Sequence, residues 1–191
     1  MARADAVENR ARILAAARDA FAEDGTTSMN QVAQRAGVGA GTLYRNFPTR
    51  EALVLAIYQD EVVRITGSVA GLLARKAPRE ALRAWTLDLV KAMRRKHGLG
   101  DALSPSAHAA MNEQNYGPVV AAIAELLDAG KADGTFRQDA DPEDFLQLTA
   151  GLWRAAQTPK DRAPRMLDLV LDGLQVRSAA PAEGRRTAGR R

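Results

Sequence analysis

Thr27-Ser28-Met29-Asn30-Gln31-Val32-Ala33-Gln34-Arg35-Ala36-Gly37-Val38-Gly39-Ala40-Gly41-Thr42-Leu43-Tyr44-Arg45-Asn46-Phe47 reads as two short helices joined by a tight turn. Thr27 is expected at the N-cap of the first helix. Val32 and Ala33 point inward from that helix. Leu43 and Phe47, spaced i and i+4, point inward from the second. Gly37 between them can take a positive φ angle without steric cost, which a sharp helix-to-helix turn needs. Val38 then fills the corner. Gly39, Ala40, Gly41, Thr42, Tyr44, Arg45 and Asn46 are left on the outward face, with no carboxylate among them. A short helix that starts with small residues and carries hydroxyl, amide and guanidinium groups outside suits a DNA major groove.

The flanks continue the helical pattern. Upstream, Val7, Ile13, Leu14, Ala17 and Phe21 make one apolar face of a helix over about 7–23, which Gly25 ends. Downstream, Pro48 breaks the chain and Thr49 can cap a long helix with Glu51 in its first turn. Its apolar positions Leu53, Ile57, Val62, Ile65, Val69, Leu72 and Leu73 run on to about Lys76. Residues 26 to 50 hold Arg35, Arg45 and Arg50 and no Asp or Glu, a small positive face.

Ala36-Gly37-Val38, Gly41-Thr42-Leu43-Tyr44, Phe47 and Arg50-Glu51-Ala52-Leu53 follow each other at the order and spacing of a known family. The stretch from about residue 8 to 60 resembles the TetR family of bacterial transcriptional regulators, and Ile13-Leu14-Ala15-Ala16-Ala17, Phe21 and Gly25 fit as well. The chain departs from the family pattern at Gly39, where Ser or Thr usually caps the reading helix, and at Ala40, where a long polar side chain is frequent. Glycine is an acceptable N-cap, so the helix is expected to form. The resemblance implies a DNA interface made by Thr27, Ser28, Gly39, Ala40, Gly41, Thr42, Tyr44, Arg45, Asn46 and Arg50. Arg50 would act as a phosphate clamp. Thr42 and Tyr44, with Thr27 and Ser28 at the neighbouring helix start, are placed to donate to phosphates, and Arg45 and Asn46 are long enough to reach bases, Asn46 alternatively pointing to the backbone.

Beyond residue 76 the sequence still reads as helical. Pro78 opens a helix with a Leu82, Trp85, Leu89 and Met93 stripe, closed by Arg94-Arg95-Lys96 at the end where the dipole favours cations. Residues 97 to 118 are predicted to be irregular around a short helix near 107–113, with a separate helix from Pro118 to Ala129. Asp141-Pro142-Glu143-Asp144 is a helix start, with a capping Asp, Pro at the first position and acids on the positive dipole end. That helix is expected to carry Phe145, Leu148, Leu152 and Trp153. Pro164 is expected to open the last, with Met166, Leu167, Val170, Leu171 and Leu174. The whole is an all-α fold of roughly nine helices. It divides into a three-helix helix-turn-helix headpiece (8–66, reading unit 27–47), a C-terminal helical domain (67–176) and a disordered basic tail (177–191).

Composition bounds the function. The 191 residues include no cysteine, which removes disulfides and thiol chemistry. No apolar run approaches the ~20 residues of a membrane span, and the N-terminus lacks a signal peptide's apolar segment, so a cytoplasmic protein is expected. The net charge of +4 lies entirely in the tail, where five arginines face one glutamate. The body is neutral, and DNA attraction must come from the local pattern of the headpiece.

One headpiece reads few base pairs, so two must be held about one DNA turn apart. The resemblance places dimer contact on the last two helices, with Leu148, Leu152, Leu167, Val170, Leu171 and Leu174 as candidates. It places an effector pocket in the C-terminal domain. Trp85, Leu89, Met93, Met111, Tyr116, Phe145 and Trp153 are candidate lining residues, with His97, His108 or Gln147 to orient a small molecule. No cofactor or metal is expected, and no catalytic group stands out. A small helical enzyme and a helical protein-binding adaptor are the rival readings, which a DNA-binding assay separates from an operator-binding regulator.

Overall fold

The computed structural model describes residues 2–98, 103–154 and 162–176, with side chains described over 6–94, 103–152 and 162–176. Ten helices occupy these residues: α1 (Ala2–Glu23), α2 (Met29–Arg35), α3 (Ala40–Asn46), α4 (Arg50–Thr66), α5 (Val69–Leu73), α6 (Pro78–Gly98), α7 (Pro105–Ala132), α8 (Pro142–Thr149), α9 (Gly151–Arg154) and α10 (Arg162–Leu174). No strand occurs among the described residues. Phe136 and Gln175 form an isolated antiparallel bridge. No described helix is long and apolar enough to cross a membrane. The tail 177–191 lies outside the described residues.

Two apolar cores organise the helices. Ile13, Leu14, Ala17 and Phe21 of α1 meet Val32, Leu43 and Phe47, and Leu53 to Tyr58 of α4 close this headpiece core. Val7, expected on the same face, is 67% exposed, because α1 projects a turn beyond the core it covers. The second core joins Val62 and Ile65 of α4 to α6, to Val119–Leu127 of α7, and to Phe136, Phe145, Leu152, Leu167 and Leu171. Helix α4 therefore belongs to both cores. It stops at Thr66, short of the expected end near residue 76, with Gly67 as its C-cap. There the Ile65 carbonyl receives the buried Trp85 indole N–H at 2.9 Å.

The region expected to hold two helices around Pro118 is the single 28-residue α7, with Pro118 inside it. Proline inside a helix removes one backbone bond and costs about 3 kcal/mol. The helix continues because its two halves are docked separately: Met111 sits in the headpiece core and Val119 to Leu127 in the second. Tertiary packing outweighs the local penalty. Gly130 near its end is required by close approach, since a Cβ there would lie 2.1 Å from the Phe136 ring.

Asp141 caps α8, accepting from the Glu143 and Asp144 amides at 2.8 and 3.0 Å. The expected continuous helix through Trp153 is instead divided between α8 and α9. Helix α10 begins at Arg162, two residues before Pro164.

Candidate nucleic-acid interface

The turn that presents α3 is built from backbone bonds. Ser28, one residue later than expected, caps α2 by accepting from the Gln31 amide. The Gln31 side chain accepts the Ser28 amide at 2.8 Å in return, completing a reciprocal capping box. At the other end, Val38 N–H donates to Ala33 O at 3.0 Å and Gly37 N–H to Gln34 O at 3.1 Å. These two bonds make a Schellman closure, with Gly37 at φ 65° in the left-handed position. Gly39 then caps α3 without a side-chain bond. Leu43 and Phe47, 0% and 1% exposed, pin the helix to the core.

The opposite face of α3 is open. Gly39, Ala40, Gly41 and Arg45 are exposed, Tyr44 is 44% exposed, and Thr42 and Asn46 are half-buried. Arg45 lies back along the helix, its Nε donating to the Gly41 carbonyl at 3.1 Å and one terminal nitrogen to Thr42 Oγ1 at 3.4 Å. These exposed contacts are readily exchanged for a base edge or a phosphate. Asn46 donates to the Thr42 carbonyl at 2.9 Å, which turns its amide toward the backbone.

Two expected site residues, and one further cation of the positive face, have other roles. Thr27 is buried and its hydroxyl donates to the Asp24 carbonyl at 2.8 Å, so it is neither the N-cap nor an exposed phosphate donor. The Arg50 guanidinium donates to the Gly25 and Thr27 carbonyls and lies 4.4 Å above the Phe21 ring centre. It ties the α1–α2 turn to α4, because carbonyls in that turn have no helical partner. Arg35 pairs with Glu23 at 2.7 Å. Of the positive face counted from sequence, Arg45 remains directed outward.

A second cation was missed. Arg10 of α1 lies 4.6 Å over the ring of Phe47, the C-cap of α3, with its side chain exposed. The two residues are 37 apart, and no local spacing links them. In the turn itself, the Asp24 carboxyl is held below its ordinary range by hydrogen bonds from the Thr26 amide and hydroxyl, helped by the Arg50 charge.

Known proteins match both halves of the chain. Residues 13–57 fit the description "Bacterial regulatory proteins, tetR family", and residues 77–176 fit "Transcriptional regulator SbtR-like, C-terminal domain". The crystal structure of a TetR transcriptional regulator from Streptomyces coelicolor is 44% identical, with a TM-score of 0.75, over 87% of this chain and 98% of that one. The chain belongs to the TetR family. A second TetR-family structure, a Thermus thermophilus transcriptional repressor in complex with lauroyl-CoA, is 28% identical with a TM-score of 0.56. That alignment covers 92% of this chain and 99% of that one. An HTH-type transcriptional regulator of Staphylococcus aureus is 42% identical over 62 residues, 31% of this chain. The match spans about a third (34%) of that curated relative's length. This TetR-family chain is thus a DNA-binding transcriptional regulator with an all-α fold.

The C-terminal domain of this TetR chain distributes its expected site residues differently from the sequence reading. Trp85, Leu89 and Phe145 are packed in the second core, at most 2% exposed, with Met93 partly buried against it. Met111 belongs to the headpiece core. His108 is half-buried, Gln147 exposed, and Tyr116 41% exposed. Trp153 and His97 lie outside the described side chains. The described residues of the set therefore do not surround one common space. Among the described residues no group of three His, Cys, Asp or Glu is placed to hold a metal.

On α8–α10, Leu152, Leu167 and Leu171 are 3%, 0% and 0% exposed and belong to the protomer's own core, which removes them as interface candidates. Helical period turns their neighbours outward. Leu148 is 65% exposed, Leu169 73% and Met166 42%, with Val170 and Leu174 half-buried. Leu148, Leu169 and Val170 border an open groove of about 520 Å³ that also touches Arg137 and Asp144. Sequence periodicity found the stripe and chose its wrong side for Leu167 and Leu171.

Proposed function

We propose that this TetR-family chain acts as a homodimer that represses transcription from a palindromic operator and releases it when a small molecule binds the C-terminal domain. The observation that carries the reading is the acid-free, exposed face of α3, with Tyr44 and Arg45 outward and Leu43 and Phe47 locked behind. Arg45 is the residue assigned to base edges. Tyr44, Thr42 and Ser28 are assigned to phosphates, and exposed Gly41 to close approach of the sugar-phosphate chain.

Dimerisation is assigned to the outward stripe of α8 and α10, Leu148, Met166, Leu169 and Val170. Large apolar side chains grouped on adjacent helices favour a partner surface. The pair would set two α3 helices about 34–36 Å apart, one DNA turn. The repressor role and the response to a small molecule are supported by the Thermus thermophilus relative, itself a repressor solved with lauroyl-CoA. A ligand releases the operator only if it binds more tightly to the state whose headpiece spacing does not fit the DNA.

Selection of bound fragments from genomic DNA, followed by gel-shift, tests this reading. A palindrome bound at one dimer per site supports it. Failure to enrich any sequence, or a monomer by sedimentation at micromolar concentration, refutes it.

A further inference from the structure

Helix α4 is the covalent link between headpiece and C-terminal domain, but a second helix also bridges the two cores. Ser104, the N-cap of α7, donates both its amide and its hydroxyl to Glu51 Oε1 of α4, each at 2.8 Å. The same Ser104 oxygen accepts the Ala107 amide at 3.3 Å and lies 3.2 Å from Ser106 Oγ, so its single proton goes to Glu51 while a lone pair caps the helix. Leu103 and Met111 on either side are 8% and 4% exposed and pack into the headpiece core. Further along, Gln59 Nε2 donates to Gln114 Oε1 at 3.0 Å.

The two contacts fix the direction of α7. Glu51 to Gln59 is about 12 Å along α4, and Ser104 to Gln114 about 15 Å along α7, at 1.5 Å per residue. The helices therefore run side by side in the same sense from the headpiece edge inward. The remaining half of α7 carries Val119, Ala122, Ile123, Leu126 and Leu127 into the other core. Glu51 adjoins Arg50, which holds the Gly25 and Thr27 carbonyls just ahead of the Ser28 cap. Hydrogen bonds from Ser104, chiefly its amide, hold the Glu51 carboxyl below its ordinary range, as an engaged carboxylate requires.

We infer that Glu51 and Ser104 form a latch that sets the orientation of the headpiece on the C-terminal domain, and with it the half-site spacing the dimer accepts. A rod held by one helix can pivot, whereas one held by two parallel helices joined at both cores cannot pivot until a contact opens. Both are positioning residues, acting on DNA through α4 and the Arg50 tie. The inference rests on the operator reading above.

The test uses the full chain and the palindromic fragment selected from genomic DNA, its spacer shortened or lengthened by one and two base pairs, together with a single half-site duplex. Wild-type protein should prefer one spacing sharply. Ser104→Ala and Glu51→Ala should lower affinity for that spacing about three- to thirtyfold, the loss of a hydrogen bond to a charged group discounted for exposure. They should also flatten the spacing profile, while half-site affinity stays within about twofold, since the reading unit itself is intact. Ser104→Thr and Glu51→Gln, which keep a hydroxyl and an acceptor, should restore most of the sharpness. Equal losses on half-site and full site would mean that the contact only stabilises the headpiece fold, and would overturn the latch. An unaltered spacing profile would overturn it as well. A wild-type protein that binds palindrome and half-site without any spacing preference refutes the operator reading, and the latch with it.

Discussion

Replacing Gly37 with alanine isolates the conformational demand of the turn from every other effect. The residue sits at φ 65°, and a Cβ built there meets nothing within 4 Å. No clash enters, so the cost is backbone strain alone. An L-residue in the left-handed region is disfavoured by roughly 1–2 kcal/mol. The lower entropy of the unfolded alanine chain offsets about 0.4–1 kcal/mol of that. A net loss of ~1 kcal/mol is expected, a factor of about five in the opening equilibrium of the reading unit. The turn is closed by Gly37 and Val38 amides onto Gln34 and Ala33, so strain should appear in α2 and α3 together. Native-state hydrogen exchange resolves this, since local opening is read amide by amide. Amides from Val32 to Leu43 should lose protection about fivefold, while those around Trp85 and Leu126 in the other core hold theirs. Gly37→Asn should lose less, because asparagine tolerates this conformation. Gly41→Ala is the control: helical and also free of neighbours, it should gain protection by ~0.5–1 kcal/mol. If Gly37→Ala is as protected as wild type, or matches Gly41→Ala, the assignment of the turn is wrong.

Arg45→Ala should cost roughly 1–3 kcal/mol on the selected operator and relax preference at one base pair per half-site, whereas Tyr44→Phe should weaken all sequences alike. A uniform loss from Arg45→Ala across variant operators contradicts the base-reading role. Leu148→Glu combined with Leu169→Glu should leave the fold intact by circular dichroism and yield monomers by sedimentation. Persistence of the dimer moves the interface elsewhere. Asp168 joins α10 to α6 through two bonds from Arg83, at 2.6 and 3.0 Å. Those bonds hold its carboxyl below the ordinary range. A lowered native value stabilises above the ordinary carboxylate range and is lost as pH falls through it. Asp168→Asn should therefore lower the urea-derived stability by about 0.5 kcal/mol near neutrality, discounted because both side chains are over a third exposed, and by less at acid pH. A chain ending at Val176 should keep the wild-type slope of log K against log salt. A shallower slope would place the tail's arginines on phosphates.

Local chemistry in the sequence revealed the reading unit and little of what surrounds it. Gly37, the inward pairs of α2 and α3, and the Asp141-Pro142 start were legible because each rests on neighbours within four residues. The cap displaced from Thr27 to Ser28 was a near miss, decided by burial of Thr27 under α1. Arg50 was read as a clamp since its binding to two carbonyls 23 and 25 residues upstream has no local trace. Arg10 beside Phe47 and Met111 in the headpiece core failed for the same reason. Pro118 misled because the rule against proline in helices is local, while the docking of both halves of α7 is tertiary. The stripe on α10 was visible, but its inward and outward sides depend on where α6 and α8 lie.

The most direct test of the claim that α3 reads the major groove is methylation interference on the selected DNA, probing guanine N7. Methylation should abolish binding in two tracts one helical turn apart, and Arg45→Ala should lose interference at one position in each. Binding indifferent to N7 methylation, or interference confined to the minor groove, would contradict it.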